Sequence, residues 1–171
     1  MKIAIIGYSG SGKSTLANFL GQHYNCEVLH LDKIHFTSNW QERTVDEMTD
    51  DISTFMLQSD WIIEGNYSTC LYEERMREAD CIVYFNFNRF NCLYRAFRRY
   101  LKYKGQTRSS MAENCKEKFD FEFVKWILLD GRSQKNVTKF KVVVEKYPDK
   151  TIVLKNQKQL NNYMKKVKKL L

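Results

Sequence analysis

Gly7-Tyr8-Ser9-Gly10-Ser11-Gly12-Lys13-Ser14 decides the fold. The stretch satisfies G-x-x-x-x-G-K-[ST], and its flanks supply the context the motif needs. Before it, Lys2-Ile3-Ala4-Ile5-Ile6 is a short apolar run rich in β-branched residues, which predicts a buried strand. After it, Leu16, Phe19 and Leu20 recur at helical spacing, and Gly21 is the expected helix stop. Strand, loop and helix together make a phosphate cradle. Glycines let the backbone curl so that successive N–H groups point inward, and the helix N-terminus adds partial positive charge. Lys13 is expected to reach the β- and γ-phosphates and the Ser14 hydroxyl a Mg²⁺ ion, with Thr15 as a further donor. The glycines at 7, 10 and 12 spell G-x-x-G-x-G, unlike the dinucleotide fingerprint, so the expected ligand is a nucleoside triphosphate.

The 171 residues suit one domain, and 43% hydrophobic residues with a single proline suit a helix-rich globular one. Five scattered cysteines, odd in number and without a C-x-x-C pair, predict reduced thiols in a cytoplasmic protein. Three separated histidines argue against a metal centre, and no run approaches the ~18 apolar residues of a membrane span. The net charge of +8 is uneven. From Lys135 onward eleven lysines face only Glu145 and Asp149, which leaves residues 1–134 at −1. Residues 81–112 contain no acid and hold Arg89, Arg95, Arg98, Arg99, Lys102, Lys104 and Arg108. The lysine-rich end reads as a solvated helix face, with a nucleic-acid surface as the alternative.

Cys26 to Asp32 predicts a second strand ending in a carboxylate. Ligands collect at the carboxyl ends of parallel strands, so Asp32 is expected to face the crevice of Lys13. His30 and His35 read as packing or surface residues, while Phe36 and Trp40 either line a pocket or close the edge of the core. Thr44-Val45-Asp46-Glu47 is a capping box before a stripe of Val45, Met48, Ile52, Phe55 and Met56. Trp61 to Tyr67 predicts a third strand. Its Glu64-Gly65 places a carboxylate beside a Mg²⁺ water shell and lets substrate approach the backbone. Cys81 to Phe85 predicts a fourth strand after a charged helical segment at Leu71 to Glu78. It ends in Asn86-Phe87-Asn88 with no acid, and no N/T-K-x-D occurs anywhere, which counts against ATP-driven motors and GTPase switches.

Residues 89–104 predict a two-faced helix. Phe90, Leu93, Tyr94, Phe97 and Leu101 make an apolar stripe. Arg95, Arg98, Arg99 and Lys102 make a second face without an acidic partner, suited to phosphoryl oxygens or, alternatively, to solvent or the acidic 27–80 half. Gly105 to Asp120, with Arg108 and a Ser110-x-x-Glu113 cap signal, suits a mobile lid. Phe119, Phe123, Trp126, Ile127 and Leu128 predict a buried helix ending near Gly131-Arg132. Val137, Phe140, Val143 and Val144 continue helically to Pro148. Thr151 to Leu154 predicts a fifth strand, and Asn156 caps a last helix carrying Leu160, Tyr163, Met164 and Val167.

GYSGSGKSTLA, VLHLDKIHF with Trp40, WIIEGNYS and NFNRFNCLYRAFRRYLKYKG resemble the family of DNA topology modulation proteins (FlaR-like). The similarity extends through KFDFEFVKWILLDGR and KTIVLKNQKQL, over almost the whole chain. That family looks like a branch of the adenylate kinase-like P-loop kinases. The resemblance implies an α/β, three-layer fold with a five-stranded parallel sheet, an acceptor-side segment at about 32–60 and an arginine-bearing helical lid at about 95–132. It implies ATP and Mg²⁺ as cofactors, phosphate and metal roles for Lys13, Ser14 and Thr15, and lid roles for Arg95, Arg98 and Arg99. Glu64-Gly65 falls where adenylate kinases have Asp-Gly, and Asn66-Tyr67-Ser68 replaces their F-P-R, so AMP as acceptor is not implied.

Together these readings predict an ATP-dependent phosphotransferase acting on a nucleotide or another small molecule. Lys13, Asp32, Arg95, Arg98 and Arg99 are its expected catalytic residues, and Ser14 and Glu64 its metal partners. Asp32, Phe36, Trp40, Gly65, Asn66, Arg108 and Arg132 are the expected acceptor contacts. The alternative is a nucleotide-regulated DNA- or RNA-binding protein that affects DNA topology.

Overall fold

The computed structural model describes residues 1–169. In chain order they form β1 (Lys2–Gly7), α1 (Lys13–Tyr24), β2 (Val28–His30), α2 (Leu31–His35), α3 (Val45–Met56), β3 (Trp61–Glu64), α4 (Tyr72–Glu78), β4 (Cys81–Phe85), α5 (Arg89–Tyr103), α6 (Phe121–Leu128), α7 (Gln134–Lys146), β5 (Thr151–Leu154) and α8 (Gln157–Lys168). The strands form one parallel sheet in the order β2-β3-β1-β4-β5. The centre is β1 because Ile3, Ala4, Ile5 and Ile6 are all buried and carry nothing that needs water.

The connection from β1 to β2 and that from β3 to β4 cross the sheet in opposite directions. Right-handed crossovers therefore place α1 and α4 on opposite faces and open a crevice at the carboxyl ends of β1 and β3. Side-chain contacts agree. Lys168 of α8 lies over Phe19 of α1, while Lys146 of α7 pairs with Glu73 of α4. Two of the three predicted N-terminal caps form: Thr44 and Glu47 make a reciprocal box, and Asn156 accepts from the Gln159 N–H.

Several local expectations change. Helix α1 runs past Gly21 to Tyr24 and is capped by Asn25 in the left-handed conformation. Strand β2 stops at His30, opposite Glu64, where its partner β3 also ends; Asp32 therefore lies in the first turn of α2. Ser110 caps no helix. Residues 104–120 instead form an irregular ribbon with isolated bridges Lys104–Glu117 and Thr107–Lys116. Val45, at the first turn of α3, is exposed rather than in the core.

The apolar stripe of α5 is turned the other way from expectation. Phe90, Tyr94, Phe97 and Leu101 are exposed, while the small Cys92 and Ala96 are buried. Small residues are required on the inner face because the glycine loop touches it: a Cβ on Gly10 would sit 2.5 Å from the Cys92 carbonyl oxygen. All five cysteines are free, and among the described residues no helix is long and apolar enough to cross a membrane.

Candidate active site

The glycine loop leaves β1 with Gly7, Gly10 and Gly12 all at positive φ and enters α1 at Lys13. Lys13 Nζ donates to the Tyr8 carbonyl at 3.2 Å and lies 3.8 Å from Glu64 Oε1. On the other carboxylate oxygen, Ser14 Oγ donates at 2.9 Å and His30 Nδ1 lies at 3.1 Å. Burial pushes the Glu64 carboxyl up, but the His30 hydrogen bond and the Lys13 charge outweigh it and hold Glu64 below the usual carboxylate range. The Ser14 hydroxyl and an ionised Glu64 are hard oxygen donors within 2.9 Å of one another, which fits a Mg²⁺ ion that keeps most of its water. His30 acts behind them: its Nε2 meets Asn18 Oδ1 at 2.8 Å, so the ring is fixed between α1 and β3.

Asp32 sits beside this group with the opposite electrostatics. Tyr67 Oη donates to Asp32 Oδ1 at 3.0 Å. Burial, and then the Glu64 charge, push the Asp32 carboxyl up despite Lys13, Tyr67 and Arg108. Two neighbouring carboxylates pushed in opposite directions are the usual preparation for separate roles, one holding charge and one exchanging a proton. A raised folded-state value means that the folded protein binds this proton more tightly than the unfolded chain. Stability from that proton is complete below the usual value of 3.8 and is lost as pH rises through the raised one. The ligand-free Asp32→Asn protein is therefore expected to melt higher than the parent at pH 7. The gap should close towards pH 4, and an equal gap at both pH values would contradict this.

The loop after β3 is held from two sides. Asn66 Oδ1 accepts the Gly7 N–H at 3.0 Å and its Nδ2 donates to the Gly7 carbonyl at 2.7 Å, stapling β3 to β1. This occupies the side chain expected to contact substrate. Gly65 lines the crevice and is also required by packing, since a Cβ there would lie 2.7 Å from that of Leu31. Arg75 is fully buried without an acidic partner. It donates to the carbonyls of Gly65, Tyr67 and Cys70 at 3.3, 2.6 and 3.2 Å, and burial lowers its pKa to about 10. Arg75→Met would orphan three carbonyls, and a loss of about 2–4 kcal/mol is expected in urea unfolding. A loss under about 0.5 kcal/mol would show that Arg75 does not hold this loop.

The basic face of α5 does not act as one set. Arg95 reaches over Gly12 and hydrogen-bonds Gln157 at the start of α8. Arg99 Nε donates to Glu117 Oε1 at 2.7 Å, and Arg108 Nε donates to Oε2 of the same buried carboxylate at 2.5 Å. Arg98 is exposed over the Tyr94 ring and Lys102 points away with it, so neither lines the crevice. Arg132 is outside it as well. Its guanidinium stacks 3.7 Å from the Tyr8 ring centroid and donates to the carbonyls of Phe87 and Ile127.

The crevice encloses about 830 Å³. Phe36 and Trp40 meet edge to face at 5.1 Å on one wall, and Met111, Ala112 and Cys115 pack against them from the 104–120 ribbon. Opposite, Trp126 leaves the core and donates its indole N–H to Ser9 Oγ at 3.2 Å, beside Phe123, Asn136 and Lys139. The structure thus brings Lys13, Ser14, Asp32, Phe36, Trp40, Glu64, Gly65, Asn66, Arg95, Arg99 and Arg108 together along the crevice, which Arg98 and Arg132 do not line. The roles of His30, Tyr67, Arg75, Glu117 and Trp126 were not foreseen. Only the apolar spacing around Trp126 carried any signal, and it pointed to the core.

No protein-family model matches the sequence, and no curated protein sequence matches it. Among solved structures the chain is similar to the crystal structure of a gluconokinase from Sinorhizobium meliloti 1021, at 14% identity and a TM-score of 0.53. The superposition covers 99% of this chain and 92% of that one. The likeness shows the fold, a three-layer α/β architecture of the P-loop type with a five-stranded parallel sheet and a glycine loop at the end of β1. The finer resemblance to DNA topology modulation proteins is not confirmed by it.

Proposed function

We propose that the protein is an ATP- and Mg²⁺-dependent phosphotransferase acting on a small molecule bound beside Asp32. The observation that carries this reading is the joint placement of Lys13, Ser14 and an anionic Glu64 around the end of the glycine loop, with Asp32 beside them. The loop amides and Lys13 would cradle the triphosphate, and Ser14, with Glu64 behind it, would hold a Mg²⁺ ion, which when bound supplies charge neutralisation for phosphoryl transfer. Arg95 covers the loop, and Arg99 and Arg108 approach from the acceptor side. The 104–120 ribbon is the lid of this site, latched on Phe36 and Trp40 and excluding water when substrates are bound.

The reading is tested by ATP binding and by ADP release. ATP with Mg²⁺ should bind in calorimetry, and binding without Mg²⁺ should be clearly weaker; indifference to Mg²⁺ would contradict the assigned Ser14 and Glu64 roles. Arg99→Ala should lower kcat on the order of 10-fold or more while changing the ATP dissociation constant little, because Glu117 holds Arg99 until the lid closes on the reacting complex. An unchanged kcat would remove Arg99 from the mechanism. No observation favours the nucleic-acid alternative.

A further inference from the structure

We infer that the phosphoryl acceptor is a hydroxyl group on an uncharged, flat-ringed molecule of nucleoside size, seated against the crevice wall of Phe36 and Trp40 with its hydroxyl at Asp32. The inference rests on the phosphotransfer reading above and adds the chemical class of the second substrate.

Three observations converge. The first is the carboxylate. Tyr67 occupies Asp32 Oδ1, and among the described residues Oδ2 has no hydrogen-bond partner. An acceptor hydroxyl needs a group to take its proton, and a free oxygen on a carboxylate fixed by Tyr67 provides one. An acceptor phosphate needs no such group, and its two negative charges would enter beside both Asp32 and Glu64.

The second is the state of the cations. Recognition of a phosphate-bearing acceptor relies on forked arginine contacts. Around the acceptor wall Arg99 and Arg108 share the charge of one carboxylate, Glu117, each through its Nε, and Arg108 Nη1 also donates to Ser110 Oγ. Arg43 is turned to Asp51 and to the Ile34 carbonyl, away from the crevice. Lys139 is bonded to the Asn66 carbonyl, and Lys118 lies 4.5 Å from the Trp40 ring centroid.

The third is the wall itself. The Phe36–Trp40 pair, with Met111 packed against it, gives the crevice an aromatic wall, and the polar side chains of Ser68 and Thr69 also line it. A sugar or sugar acid without a ring system would leave that apolar surface uncovered. At about 830 Å³ the crevice lies near the top of the ~300–1,000 Å³ range of small-molecule pockets, which leaves room for an acceptor beside the triphosphate.

The transfer balances with these parts. The acceptor oxygen forms a bond to the γ-phosphorus as the bond from that phosphorus to the β,γ-bridging oxygen breaks. The electron pair leaves with ADP, the hydroxyl proton passes to Asp32, and solvent takes it afterwards. The product is a phosphate monoester.

The experiment incubates the full chain with ATP and Mg²⁺ and one acceptor at a time: adenosine, guanosine, cytidine or thymidine, each of their 5′-monophosphates, and gluconate as a ring-free alcohol. Products are identified by phosphorus NMR and mass spectrometry, and ATP binding is measured separately for the parent and for Lys13→Ala. The expected result is a nucleoside monophosphate from at least one nucleoside. Its rate should exceed those with the 5′-monophosphates and with gluconate by about 100-fold or more. Trp40→Ala should raise KM for the nucleoside about 10-fold with a smaller change in kcat. Faster transfer to a 5′-monophosphate or to gluconate would overturn the acceptor class and leave phosphotransfer standing. ATP binding that depends on Lys13, with no nucleoside product, would overturn the acceptor class as well. No transfer from ATP to any acceptor, together with ATP binding indifferent to Lys13, would instead overturn the phosphotransfer reading itself.

Discussion

Lys13→Ala is expected to lower the rate of phosphoryl transfer by about 10²- to 10³-fold, the scale of removing one preorganised donor from developing negative charge. Lys13 is the cation that touches both halves of the site: its Nζ donates to the Tyr8 carbonyl within the loop and lies 3.8 Å from Glu64. In the resting protein it is aimed across the cradle by those two oxygens, and a triphosphate would replace them without moving the backbone. The substitution leaves the glycine-loop conformation, set by Gly7, Gly10 and Gly12, in place, so circular dichroism and melting temperature should stay near those of the parent. It also removes the positive charge that helps hold Glu64 ionised, which should weaken Mg²⁺ dependence along with rate. A Lys13→Ala protein within about 3-fold of the parent rate would leave the glycine loop without its assigned chemistry.

Asp32→Asn is expected to cost about 10²- to 10⁴-fold in kcat, the range typical of a general base. Asparagine can still accept the Tyr67 hydroxyl hydrogen bond, so loop geometry and ATP affinity should survive while the proton acceptor is lost. The pH profile separates this from a packing defect. Burial and the Glu64 charge raise the Asp32 carboxyl, with Lys13, Tyr67 and Arg108 opposing, so kcat should rise with pH through a value above 3.8. Residual activity of Asp32→Asn should lack that rise. A variant that retains the parent kcat and the same acidic limb would remove Asp32 from proton transfer.

What was legible in the sequence was local. The strand, glycine loop and helix at 2–20 are contiguous, so pattern and chemistry coincide, and β1 and β3 were readable because buried strands announce themselves by composition, although β3 stops at Glu64 rather than running to Tyr67. Asp32 lines the crevice with Lys13, on a helix turn rather than at the expected strand end. What failed depended on register between distant segments. His30 meets Glu64 34 residues away and Asn66 clasps Gly7 59 residues away, and neither pairing leaves a spacing signal. The arginine face of α5 divided because Glu117 folds back from beyond the acid-free stretch to hold Arg99 and Arg108. Periodicity found the apolar stripe of α5 but cannot say which stripe faces inward. Contact with Gly10 demanded small residues, so Cys92 and Ala96 took the buried side and Phe90 and Tyr94 the solvent. Trp126 illustrates the same limit, since an amphipathic spacing suits a crevice wall as well as a core.

The most direct test of phosphotransfer at this site is to follow the label from γ-labelled ATP with Mg²⁺ in the parent, Lys13→Ala and Asp32→Asn proteins, offered small hydroxyl and phosphate acceptors. The expected result is label in a new organic phosphate in the parent. Lys13→Ala and Asp32→Asn should each reduce it at least about 100-fold, with ATP binding retained in Asp32→Asn. Label recovered only as inorganic phosphate, or transfer indifferent to both substitutions, would contradict a kinase acting through Lys13 and Asp32.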